Sequence, residues 1–361
     1  VKNGEPEPLT VLLMLPPIYL DATYAADERP TGVANYSREI LDGLAVSHPE
    51  LRLYHCYRPH RFRSGLARPV PPGVRRSLLI DHLLPLRPSL FHGLNQRLPK
   101  LRMRHAVSTF HDLFVISSQY STREFRERFT LQARDAAARS DFVVCVSSFT
   151  ASQVEDLLHV PADRIRVVHH GVRPPQSSLI RPIESREPLI LFVGAIQKRK
   201  NVAALVRAFA RVPQPWKLVL VGGRGYGWEE VEIAMAESPA RDRISAPGYC
   251  DDVALRDFYA RASIFAFPSL DEGFGMPVLE AMAWGIPVLC SNRSSMPEVA
   301  GDAALLVDPL RQNEIEDALM HLTSDLASRR LLASKGTERI QAFRWEQAVE
   351  QTYAVYKELC G

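Results

Sequence analysis

The sequence contains no run of about eighteen apolar residues, the length a membrane-spanning helix needs. Its longest apolar stretches, such as 11–15 and 189–193, have the length of strands. Cysteine is scarce: five residues, at 56, 145, 250, 290 and 360, lie far apart and in no CxxC or Cys/His cluster. A disulfide framework and a zinc site are therefore not expected, and a reducing compartment is. The first residues, Val1-Lys2-Asn3-Gly4-Glu5, show no signal-peptide pattern, so the expected location is cytoplasmic. No GxGxxG turn follows the first expected strand, which argues against an NAD oxidoreductase. No solenoid-length repeat is present.

Net charge is only +3 over 361 residues, but it is unevenly spread. Residues 58–104 hold eleven Arg and Lys against one acid, Asp81, a net +10 that leaves −7 for the rest. Such a segment suggests an anionic partner; the plainer reading is a solvated basic loop. Without aromatic interleaving it does not suggest nucleic acid.

The length allows about two domains. Strands are expected at 10–15, 51–57, 106–110, 142–147 and 165–169, with helices at 33–44, 125–140 and 150–158, the last capped by Ser148. Residues 173–188 are rich in Pro, Ser and charge, a linker composition. Beyond them, strands at 189–193, 216–221, 264–267 and 288–289 alternate with helices, one of them at 201–211. That alternation indicates βαβ units and an α/β fold of two doubly wound halves, with ligands beyond the strand C-termini. A final amphipathic helix covers 344–359, with Trp345, Val349, Tyr353 and Tyr356 as its apolar residues.

The segment 268–288, PSLDEGFGMPVLEAMAWGIPV, carries most of the chemistry. Glu272-Gly273-Phe274-Gly275 makes a tight loop after a strand, and Pro277 falls in the first turn of the next helix. The N–H groups at that helix start suit oxygens or negative charge. Glu280 sits among apolar residues inside the helix, and its two oxygens suit a pair of adjacent hydroxyls such as a ribose presents. The plainer reading is a surface Glu272 and a salt-bridged Glu280. Lys198-Arg199-Lys200 lies between a strand and a helix, a good place to meet a diphosphate. His111-Asp112 follows another strand, and Gly32 opens a helix.

The block from Glu272 to Glu280 is the E-x7-E arrangement of retaining glycosyltransferases with the GT-B fold. Together with FVGAIQKRKNV at 192–202, LVLVGG at 218–223, GYCDDVALRDFY at 248–259 and PEVAGDAALLVDP at 297–309, it resembles the GT4 family. Within that family it is similar to the branch of bacterial O-antigen and polysaccharide mannosyltransferases. The resemblance implies two Rossmann-like domains facing a cleft. They divide into 1–178 for the acceptor, 187–343 for the donor, and a helix at 344–361 packing back toward the first domain, with the linker as one hinge.

It also implies roles. Glu272 contacts donor-sugar hydroxyls, and Glu280 binds the nucleotide ribose. The amides of Phe274, Gly275 and Met276 meet the sugar and diphosphate. Arg199 and Lys200 grip the phosphates, with Lys198 left solvated. Ala195 stands where many relatives have Arg. His111 approaches the reacting sugar, with Asp112 orienting it or capping a turn. Gly32 comes close to the donor phosphates or the acceptor, and Tyr249 and Val253 touch the base. His169-His170 is a structural loop, and no metal or other cofactor is required. Asp251 and Asp252 cap a helix.

The expected activity is transfer of mannose from GDP-mannose, with retention, to a saccharide or an undecaprenyl-diphosphate-linked acceptor of an O-antigen-like polysaccharide. GDP- or dTDP-rhamnose, then UDP-glucose or UDP-galactose, are the alternative donors, and a non-catalytic nucleotide-sugar-binding protein is the alternative of another class. The basic segment 58–104, with apolar residues at 78–86, is expected to meet an anionic membrane surface peripherally.

Overall fold

The computed structural model describes residues 15–27, 31–81, 88–118 and 120–361. The strand expected at 10–15 lies outside the described residues except for Leu15, which is in no regular element. The first described strand is β1, Ile18–Asp21. After it come β2 (Leu53–Tyr57), β3 (Arg75–Leu78), β4 (Leu90–Gly93), β5 (His105–Phe110), β6 (Phe142–Cys145) and β7 (Ile165–Val167). They form one sheet in the order β3-β2-β1-β4-β5-β6-β7. A second sheet holds β8 (Glu187–Val193), β9 (Lys217–Val221), β10 (Ile244–Gly248), β11 (Ala262–Phe267), β12 (Val288–Ser291) and β13 (Ala304–Val307). Its order is β10-β9-β8-β11-β12-β13, and every pairing is parallel.

The chain divides into two compact units: residues 1–94, 98–107 and 349–361 form one, and 95–97 with 108–348 form the other. In the first unit, the parallel register places Ile18 beside Leu53 and Leu90. The helix Gly32–Ser47 buries Tyr36, Ile40, Leu41 and Leu44, and Thr31 caps it through the Ala34 amide. The end of the last helix, Trp345–Cys360, belongs here: Tyr353 stacks on His48 at 3.7 Å, and the Tyr356 hydroxyl lies 2.6 Å from His92 Nδ1. Three of the cations in the basic segment are already paired in this unit. Arg58 lies 3.8 Å from Asp21 and 3.6 Å from Asp81, while Arg61 and Arg68 engage Asp27 and Asp42. The apolar stretch expected at 78–86 falls largely outside the described residues, which omit 82–87.

In the second unit the central strands read as continuous apolar runs because both faces are covered. Leu189, Ile190, Leu191, Phe192 and Val193 are all buried, as are the residues of β11. The helix Val202–Phe209 is buried along almost its whole length. The cap of the helix Ser148–Leu158 is Ser147, not Ser148: its hydroxyl accepts from the Thr150 amide at 3.0 Å. The linker composition of 173–188 does not leave the segment loose to its end. Arg186 is buried and donates to the Trp284 and Ala262 carbonyls at 2.6 and 3.0 Å.

The strand order of the second sheet reverses between β8 and β11, so the loops leaving those two strands diverge and open a crevice. The loop after β8 carries Lys198, Arg199 and Lys200; the loop after β11 carries Asp271 through Gly275. Topology alone therefore brings the basic cluster and the first Glu of the motif to one place.

Candidate active site

Glu272 is the centre of the site. Its side chain is buried, and three donors converge on one oxygen, Oε1: Lys200 Nζ at 2.6 Å, Arg199 Nη1 at 2.8 Å and Ser269 Oγ at 2.8 Å. Among the described residues, Oε2 has no hydrogen-bond partner. Burial pushes the carboxyl up, but the two cations and their hydrogen bonds outweigh it and hold Glu272 at about 2. Lys200 is pushed down to about 8, first by burial and then by neighbouring Arg199, against the pull of Glu272. The ammonium also stands 4.5 Å from the centre of the Phe267 ring, and Arg199 stands 4.4 Å from that of Phe114.

The sequence reading treated the cations and Glu272 as separate ligands; in the structure they are one hydrogen-bonded cluster. Lys198 differs from both: it is exposed and paired with Glu230.

The loop that follows is fixed by backbone contacts. The Gly273 carbonyl accepts from Ser147 Oγ at 2.6 Å and Thr150 Oγ1 at 3.1 Å. A side chain at Gly273 would strike the carbonyl oxygen of His111. Gly275 has φ +99°, a conformation costly for any other residue, and it caps the helix Met276–Ala283. Ser295 Oγ donates to the Glu272 and Phe274 carbonyls at 2.8 and 3.0 Å. The Phe274 ring is buried against His170, 4.8 Å away. The backbone of residues 274–276 stands at a helix start, where the first N–H groups have no partner four residues back.

Glu280 lies one turn into that helix. Tyr259 donates to its Oε2 at 2.9 Å, and burial raises both groups, since each favours its neutral form there. Tyr259 is itself stacked on Trp284 at 6.1 Å.

His111 directly follows β5 and is buried, with its ring 5.5 Å from that of His170. Asp112 is pushed up to about 6, chiefly by burial, with Glu272 adding to the rise and Arg199 and Lys200 opposing it. His169 Nε2 lies 2.7 Å from Glu298 Oε1, and Glu298 also accepts from the Ser148 and Phe149 amides at 2.8 and 3.2 Å. Asp251 caps the helix Asp252–Arg261 through the Ala254 amide. Tyr249 and Val253 flank that cap, 50% and 76% exposed. Gly32 starts a helix of the first unit, and a Cβ there would meet nothing within 4 Å, so local packing does not demand glycine.

Sequence reasoning missed Ser147, Thr150, Tyr259, Ser269, Asp271 and Glu298. Only Ser147 had a local signal, a hydroxyl three residues before Thr150 at a helix start. Among the described residues, no group of three His, Cys, Asp or Glu is placed to hold a metal, and no helix is long and apolar enough to cross a membrane.

Residues 177–339 match the glycosyl transferases group 1, and residues 30–175 match glycosyltransferase family 4. The chain is 31% identical to the O-antigen chain mannosyltransferase B of Escherichia coli, over 91% of this chain and 96% of that protein. It is 28% identical to an MMP alpha-(1->4)-mannosyltransferase of Mycolicibacterium hassiacum, over 71% of this chain and 64% of that one. The fold resembles that of sucrose-phosphate synthase from Thermosynechococcus elongatus, with a TM-score of 0.74 at 24% identity, covering 95% of this chain and 99% of the other. With two Rossmann-like sheets and both family regions in place, the chain belongs to the GT-B glycosyltransferases of family 4.

Proposed function

We propose that this glycosyltransferase transfers mannose from GDP-mannose, with retention, to a saccharide or lipid-diphosphate-linked saccharide in the synthesis of an O-antigen-like polysaccharide. The observation that carries the donor reading is the asymmetry of Glu272. Oε1 is saturated by Lys200, Arg199 and Ser269, which fixes the carboxylate and leaves Oε2 to accept from a sugar hydroxyl. Similarity to the O-antigen mannosyltransferase supports the choice of mannose and of acceptor.

In this reading Glu280 takes the ribose hydroxyls, oriented by Tyr259. The amides of residues 274–276 and the cations Arg199 and Lys200 stabilise the departing diphosphate. Gly32 lets the chain approach the phosphates, and Tyr249 and Val253 border the base. The acceptor hydroxyl attacks from the face the diphosphate leaves, and a phosphate oxygen takes its proton. His111 stabilises charge near the sugar. Catalysis is then orientation and charge stabilisation rather than a covalent intermediate. Those cations of 58–104 that, among the described residues, lack an acidic partner hold the enzyme at an anionic membrane surface. Binding to liposomes that is indifferent to anionic lipid contradicts that part.

The test is incubation with GDP-mannose and mannoside acceptors, followed by NMR of the product at early times. An α-mannoside supports the reading. A β-mannoside, or transfer from a UDP-sugar alone, overturns it.

A further inference from the structure

Asp271 immediately precedes Glu272 but faces different neighbours. It is 8% exposed, and among the described residues its Oδ1 is buried with no hydrogen-bond partner. Its Oδ2 accepts a long 3.5 Å hydrogen bond from Ser117 Oγ. Arg199 lies close but gives Nη1 to the main-chain oxygen of Asp271, at 2.8 Å, and to the carboxylate of Glu272. An ionised carboxylate has room for about four donors, and closing one off with an oxygen unsatisfied is costly. Nothing in the fold requires that cost, because Ser269 and Arg199 hold this loop through the main chain.

The direction of the two carboxylates differs. Glu272 is held by Lys200, Arg199 and Ser269, all from the loops after β8 and β11. Asp271 faces the segment that follows His111, through Ser117. A hydroxyl acceptor matches a sugar ring, which presents O–H donors at its edge.

We propose that Asp271 binds a hydroxyl of the acceptor saccharide, in a subsite bordered by Ser117 next to the donor sugar. The acceptor's O–H replaces the long Ser117 contact and gives Oδ1 its missing donor. This rests on the donor reading of Glu272 for its location, but binding of the saccharide can be measured without a donor.

The probe is methyl α-mannotrioside, followed by saturation-transfer NMR on the full chain. Wild type binds it, and Asp271→Asn binds at least ~10-fold more weakly, while affinity for GDP-mannose changes less than about twofold. In turnover, the same variant raises KM for the mannotrioside and leaves KM for GDP-mannose in place. Ser117→Ala, which removes the competing hydroxyl, lowers KM for the mannotrioside and supplies a second variant should Asp271→Asn fail to fold. Equal binding by wild type and Asp271→Asn, or no binding to wild type, overturns the subsite. So does a matching loss of GDP-mannose affinity, because Asp271 would then act through Glu272. Failure of wild type to bind GDP-mannose, with the saccharide result intact, overturns the donor assignment instead.

Discussion

The Lys200 ammonium lies 2.6 Å from Oε1 of Glu272, and both side chains are buried. Arg199 shares the same oxygen. Asp112 and Asp271 also act on this cluster at the C-terminal ends of β8 and β11, so the cations stand among three carboxylates. In the proposed function these cations and the helix amides face the diphosphate.

Because Lys200 sits at about 8, it loses its proton near the upper end of the physiological range. In the proposed function the protonated form holds phosphate, so kcat/KM for the donor falls as pH rises through about 8. Lys200→Met removes this alkaline limb and weakens donor binding by at least ~10-fold. A pH–rate profile of both proteins checks it; an unchanged limb in the variant means another group titrates.

Glu298 offers a stability test. Burial pushes its carboxyl up, but His169 and the Ser148 and Phe149 amides pull it down to about 2, from an ordinary 4.5. A depressed folded pKa contributes stability above 4.5 and loses it as pH falls toward 2. Glu298→Gln therefore lowers unfolding stability by about 2 kcal/mol at neutral pH, after allowance for partial exposure. The gap from wild type closes in acid. Denaturant titrations at neutral pH and at pH ~3 show it.

Tyr259 orients Glu280 through a 2.9 Å hydrogen bond. Tyr259→Phe leaves the carboxylate buried without that donor, and nucleotide affinity drops by about 10-fold, with KM for the acceptor unaffected. Calorimetric titration with GDP measures this directly.

Gly273→Ala drives a methyl into the His111 carbonyl and displaces the loop that carries Glu272. It costs ~1–3 kcal/mol of stability and most of the activity. Gly223→Ala, where a Cβ meets nothing within 4 Å, is the tolerated control.

What the sequence made legible follows from where its signals are local. Leu189 through Val193 is a continuous apolar run because β8 is covered on both faces, and the Gly273–Gly275 loop is a turn whose glycines are sterically required. Arg199, Lys200 and Glu272 could each be chosen from their position after a strand. Their direct contact could not, since it depends on β8 lying beside β11. Glu298 and Ser148 stand 150 residues apart, and no local pattern joins them. Asp271 carries no local signal either, since its burial and its unsatisfied oxygen arise from the fold. The basic segment shows the same limit: counting charges along the chain did not anticipate that Asp21, Asp27 and Asp42 fold against Arg58, Arg61 and Arg68.

The most direct measurement of the central claim is thermal stability in the presence of GDP, UDP, dTDP and ADP, each beside its nucleotide-sugar, for wild type and Glu280→Ala. A ligand at 100 times its Kd stabilises by about 2.7 kcal/mol. The account predicts that GDP and GDP-mannose raise the Tm of wild type by several degrees and leave that of Glu280→Ala in place. Stabilisation by UDP or dTDP alone contradicts the donor assignment, and stabilisation by GDP that survives Glu280→Ala contradicts the site.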